Sequence, residues 1–221
     1  MKKIKFILVT AAIALFLALN ACVNVLQKTP DTCTQFQKDW TKKRILEHVQ
    51  NWPKTASKAA KTMVEKYGLP DEITEYRLIW HNKGDFKETI VFREEVNNNF
   101  PFPHKAVLEQ SINYTVPMDK LADISKYSGN IVVDRTKGKI SARCDNEYMN
   151  YLTLNLAHEI AIGERTVEDA REFLATNVIA YLSGDTSLFM HDFLFTPPLK
   201  TGDADEAIID DEIVKEILDQ K

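Results

Sequence analysis

Residues 76–92 read YRLIWHNKGDFKETIVF, and the fold turns on this stretch. Tyr76, Leu78 and Trp80 alternate with Glu75, Arg77 and His81; then Phe86, Ile90 and Phe92 alternate with Lys87, Thr89 and Arg93. A period of two sends successive side chains to opposite faces of a strand. Between the two runs, Asn82-Lys83-Gly84-Asp85 supplies residues that tolerate a tight reversal, so the stretch predicts a β-hairpin with one apolar face.

Downstream, residues 97–104 form a loop, because Pro101 and Pro103 alternate with Phe100 and Phe102 before His104 and forbid a regular ladder. A third strand is expected over residues 107–116, with Leu108, Ile112, Tyr114 and Val116 on one face. Pro117 and Asp119 open a short helix carrying Leu121, Ile124 and Tyr127, closed by Gly129. A second hairpin pairs residues 131–134 with 139–144, turned at Lys137-Gly138. Two longer helices follow. The first starts at Asn146 and ends at Gly163; the second starts at Thr166, which forms a capping-box spacing with Asp169, and ends near Ser183-Gly184.

Upstream, Phe36, Trp40, Leu46 and Val49 mark one helix, and Trp52, Ala56, Ala59, Ala60, Met63, Val64 and Tyr67 mark a second at three- and four-residue steps. Pro53 separates them, and Gly68 with Pro70 stops the second. The order ααβββαββαα contains short hairpins and no βαβ crossover. It predicts an α+β fold, an antiparallel sheet of about five strands with helices packed on it.

The chain has 221 residues, and its first 21 are set apart from this core. Lys2, Lys3 and Lys5 precede an apolar run from Phe6 to Leu19, the pattern of a secretory signal. At 1.5 Å per residue that run spans about 21 Å, short of a hydrocarbon core of about 30 Å. The residues that follow, Leu19-Asn20-Ala21-Cys22, resemble the lipobox of bacterial lipoproteins. The resemblance implies that Cys22 becomes a diacylglyceryl- and palmitate-type acylated first residue anchoring the chain to a membrane. Val23, where an inner-membrane retention signal would carry Asp, implies the periplasmic face of an outer membrane when two membranes are present. The resulting organisation is a signal peptide at 1–21, a lipidated tether at 22–34, one domain at 35–196 and an acidic tail at 197–221.

Removal of the leader leaves 25 basic and 32 acidic residues, a net charge of −7, with eight acids and two lysines in residues 203–221. That balance gives no basic footprint for nucleic acid. Seven glycines and the lack of a glycine-rich phosphate loop argue against a nucleotide. Cys33 and Cys144 are the thiols left once Cys22 is acylated. In an oxidising compartment they either form a disulfide or leave Cys144 as a small buried strand residue. His158-Glu159 opens like a zinc-protease helix, but Ile162 stands where the second histidine is required, so no metal or other cofactor is expected.

Two surfaces remain for binding. Phe100, Phe102 and His104 form either an exposed apolar docking patch or a lid on the sheet edge. In the tail, Ile208, Ile209, Ile213, Val214, Ile217 and Leu218 make an apolar stripe on an acidic helix, ready for a partner's groove or for the chain's own body. The run Tyr67-Gly68-Leu69-Pro70-Asp71, then a strand with Trp80, a turn and a strand, is similar to small bacterial envelope lipoproteins, including an outer-membrane assembly family. The body as a whole resembles envelope lipoproteins, a likeness that brings no catalytic residue with it. The favoured function is a membrane-anchored, non-catalytic binding or assembly module with an envelope protein as partner. The alternative is a periplasm-facing hydrolase built from His104, Glu109, Asp134, Arg143 and Cys144, which requires those residues to meet in one pocket.

Overall fold

The computed structural model describes residues 40–220. The signal segment, Cys22, the tether, Cys33 and Phe36 lie outside the described residues. The chain divides into two compact units, residues 1–45 and 46–221, and the account below concerns the second. The fold is α+β. Helices α1 (Lys42–Gln50) and α2 (Lys54–Tyr67) precede strands β1 (Glu72–Ile73), β2 (Arg77–Lys83), β3 (Phe86–Asn98) and β4 (His104–Asn113). Helix α3 (Leu121–Tyr127), strands β5 (Ile131–Asp134) and β6 (Lys139–Cys144), and helices α4 (Glu147–Ala161), α5 (Val167–Leu182) and α6 (Asp211–Asp219) complete it.

The sheet is antiparallel throughout, in the order β1-β2-β3-β4-β6-β5. It holds six strands rather than about five. The extra one is the two-residue β1, too short to show a period of two in the sequence. The hairpin over residues 76–92 forms, with Lys83 opposite Phe86 and the turn at Gly84-Asp85. Gly84 has φ of +58°, and a Cβ there would come within 3.1 Å of the Tyr67 hydroxyl, so the turn needs glycine on both counts.

Strand β3 runs six residues past the expected hairpin, into the asparagines, and β4 begins at His104 rather than Val107. The register slips between Val91 and Val96. That irregularity has a use: Glu95 Oε1 accepts from the backbone N–H of Thr55 at 2.8 Å and Ala56 at 3.4 Å. It caps the first turn of α2, whose own N-cap is Pro53 without a capping side chain.

Helices α2 and α4 cover one face of the sheet, and α3 and α5 pack over α4. Helix α4 is therefore enclosed, and 12 of its 15 residues are buried. Its start is set by Asn146, whose side chain accepts from the Met149 N–H; Thr166 does the same for α5 through Asp169. Asn150 donates to Leu108 O (3.1 Å) and Gln110 Oε1 (3.0 Å), tying α4 to the sheet. Beside it, the Glu147 carboxylate accepts from Lys66, from the Tyr67 hydroxyl and, at 2.7 Å, from Gln110 Nε2. A carboxylate this buried is tolerable only with such a set of donors. Burial and the same carboxylate hold the Tyr67 phenol well above its usual pKa.

Asn155, further along α4, donates to Phe189 O (3.0 Å) and Asp192 O (2.8 Å) and accepts from Leu194 N–H (2.9 Å), clamping the segment after α5 onto the core. The chain then crosses the β5–β6 turn. Asn113 Nδ2 donates to Leu199 O (2.8 Å), Thr201 Oγ1 donates to Gly138 O (2.6 Å), and Asp205 pairs with Arg135. Beyond this stitching every residue from 206 to 220 is exposed. Among the described residues no helix is long and apolar enough to cross a membrane.

Candidate functional site

The aromatic loop after β3 is neither wholly buried nor wholly exposed. Phe100 packs against the core, while Phe102 is 41% exposed. The Arg171 guanidinium lies 3.8 Å from the Phe100 ring centroid and donates to the carbonyl of Tyr127 at 2.6 Å, which fixes the ring between α3 and α5. His104 Nδ1 bonds Phe102 O at 2.7 Å, so the tip of the loop is closed on itself.

This loop forms one wall of an open cleft whose empty space, with the solvent at its mouth included, is about 490 Å³. Leu174, Val178, Tyr181 and Leu182 of α5 form the opposite wall, and Met149 and Thr153 of α4 line the base with Cys144. Ser128 and Asn130 enter from the α3–β5 turn. The base is polar, and its donors are used internally: Ser128 Oγ donates to Asn130 Oδ1 at 2.5 Å, and Asn130 Nδ2 donates to Arg143 O at 3.2 Å and Cys144 Sγ at 3.1 Å. At the mouth stand Asp145 and Asn146, with Tyr181 next to Tyr148 at 5.8 Å between ring centroids.

Cys144 is a buried thiol. Burial and the neighbouring Asp145 push its pKa up to about 12, so near pH 7 it is protonated and a poor nucleophile. Its proposed partner Cys33 lies outside the described residues. Of the five residues whose meeting would make a hydrolase, only His104 and Cys144 line the cleft. Glu109 accepts from Ser141 Oγ at 3.0 Å, Arg143 stacks 4.0 Å from the Phe92 ring, and Asp134 accepts from Lys137 N–H at the β5–β6 turn. Glu109 and Arg143 are cross-strand partners, one residue out of phase with the Gln110 and Cys144 that face α4. They therefore point to the opposite side of the sheet.

His158 serves packing. It lies stacked on Phe195 at 3.9 Å, and Tyr114 Oη bonds its Nδ1 at 2.8 Å. Burial lowers its pKa below the usual histidine value, opposed by Glu164 and Glu159. Glu159, the second residue of the zinc-helix look-alike, is taken by Arg165. No group of three or more His, Cys, Asp or Glu is placed to hold a metal among the described residues.

In the tail, Ile209, Ile213 and Ile217 remain uncovered, 53–63% exposed, and Ile208 is fully exposed. Asp210 caps α6 by accepting from the Glu212 N–H at 2.8 Å, and Asp211 and Glu212 sit in its first turn, where the helix dipole favours acids. Residues of the cleft that sequence reasoning missed are Asp145, Met149, Leu174, Val178 and Tyr181. Their signal was weak but present: Leu174, Val178 and Tyr181 recur at four and three residues and share one helix face, and Asp145 follows directly on Cys144. No family model, no curated protein and no solved structure matches the chain.

Proposed function

We propose that this chain is a lipid-anchored protein of the bacterial envelope, held through Cys22 and facing the periplasm from the outer membrane, that works as a non-catalytic binding or assembly module. Helix α6 is its docking element, and the partner is a protein with an apolar groove rimmed by lysine or arginine. The uncovered apolar stripe of α6 carries the reading, because it stands beyond residues 199–205 that are stitched to the body. The eight acids of residues 203–221, against two lysines, choose the partner's charge. The same acids oppose contact of this helix with an anionic lipid surface. A helix of nine residues is marginal alone in water, so seating in a groove would also firm it up.

Palmitate labelling should mark the wild type and disappear in Cys22→Ala; label that survives the substitution refutes the anchor. For the docking element, the intact protein should be cross-linked in the envelope and compared with an Ile213→Asp, Ile217→Asp double variant. The reading requires a captured protein that is lost in the double variant and weakened by salt. Capture indifferent to both, or vesicle binding through α6 in place of a protein, refutes it.

A further inference from the structure

The cleft between the aromatic loop and α5 has a chemistry that neither the lipid anchor nor the C-terminal helix uses. Its walls are apolar and partly aromatic, with Phe100 and Phe102 facing Leu174, Val178 and Tyr181. The polar groups of its base are spent on one another, so the interior offers a ligand little beyond apolar contact. One residue at the edge is different. Asp145 is the sole Asp, Glu, Lys or Arg in the lining, and its carboxylate accepts from the neighbouring Asn146 Nδ2 at 2.8 Å while no cation pairs with it among the described residues. The Arg171 guanidinium, outside the lining, lies against the Phe100 ring and already donates to the Lys126 and Tyr127 carbonyls.

An apolar slot with one unpaired carboxylate beside aromatic faces selects by charge. A carboxylate ligand would meet Asp145 as a like charge next to low-dielectric walls, whereas an ammonium would gain both the ion pair and the ring faces. We propose that this cleft binds an organic cation with an apolar tail, an alkyl- or arylalkyl-ammonium, its tail between Phe100, Leu174 and Val178 and its ammonium against Asp145 and the Tyr181 ring. The exposed Phe102 and Leu182 at the rim extend the apolar contact outward, and so do the Tyr148 and His191 rings, whose centroids are 5.2 Å apart beside Tyr181.

The test uses the intact acylated protein in phosphatidylcholine nanodiscs at pH 8. Three probes share a phenylethyl tail: phenethylamine, 2-phenylethanol and 3-phenylpropionate. Binding is read from the methyl resonance of Met149 in the cleft. Phenethylamine should bind about tenfold more tightly than 3-phenylpropionate, with the alcohol between them. Asp145→Asn should bring the three within about twofold of one another, and Leu182→Ser, which removes apolar contact at the exposed rim without touching the core, should weaken all three. The proposal is overturned if the carboxylate binds as well as the amine, if the amine's advantage survives Asp145→Asn, or if none of the probes gives a saturable shift. Helix α6 plays no part in these readouts, so their failure would leave the docking reading where it stands.

Discussion

Leu152, Leu154 and Leu156 in α4 are at most 1% exposed, while Ile213, Ile217 and Leu218 in α6 are 53–61% exposed. Both helices are rich in aliphatic side chains, and their charges account for the difference. Helix α4 carries apolar residues around most of its circumference and must be enclosed, which it achieves between the sheet and α3 and α5. Helix α6 packs five charged residues into nine, leaving a stripe too narrow for a core position. Hydrophobicity alone therefore does not say where a helix goes; the width of its apolar face does.

The widest separation between the two regions should appear in thiol chemistry. Near pH 7.5, Cys144 should react with iodoacetamide more than a hundredfold more slowly than a cysteine introduced by Ile213→Cys, since one thiol is buried with its pKa near 12 and the other stands in water. Equal rates would erase the contrast. After denaturation without reductant, a Cys144 that still resists alkylation is paired with Cys33, and one that reacts is not.

In stability, Leu152→Ala should cost about 2–5 kcal/mol and lower the thermal midpoint, as deletion of enclosed methyl groups does. Ile213→Ala should change it by less than about 0.5 kcal/mol. Comparable losses would mean that α6 belongs to the core after all. Glu147→Ala, at the N-terminal turn of α4, should cost about 1–3 kcal/mol in chemical denaturation, because it leaves the Tyr67 hydroxyl and the Gln110 amide short of an acceptor.

The smallest effect is electrostatic. His158 has a folded pKa below its usual value near 6.5, so the unfolded chain takes up the proton first as pH falls. Its contribution is complete above the unfolded value and is lost as pH drops through 6.5 and below. Wild-type stability should thus decline between pH 7 and 5 by more than that of His158→Gln. Parallel profiles would show that the Tyr114–His158–Phe195 stack does not exclude the imidazolium.

Most of this architecture was legible in the sequence. The hairpin over residues 76–92, the helix stop at Gly68 and the caps at Asn146 and Thr166 are local signals, and local geometry honours them. What escaped depends on partners distant in the chain. Within the register slip of β3, Glu95 caps a helix 40 residues earlier, and no window around residues 91–96 contains that information. The knot around Glu147 joins residues 80 and 81 positions apart. The cleft was half legible: proline and phenylalanine announced the loop, but its opposite wall comes from α5, some 70 residues later. The hydrolase grouping failed on strand phase, since Glu109 and Arg143 occupy the other side of the sheet from Cys144.

The crossing of Thr201 over Gly138 has a consequence for reach. A Cβ on Gly138 would stand 2.6 Å from that of Thr201, so this turn and this crossing suit one another, and the run from Leu199 to Asp205 ends at a defined spot on the body. From there, five residues, 206–210, separate Asp205 from the helix. Fully extended they span about 17 Å. For the proposed docking, the helix is thus on a short leash, and a partner that receives it would have to approach that corner of the molecule.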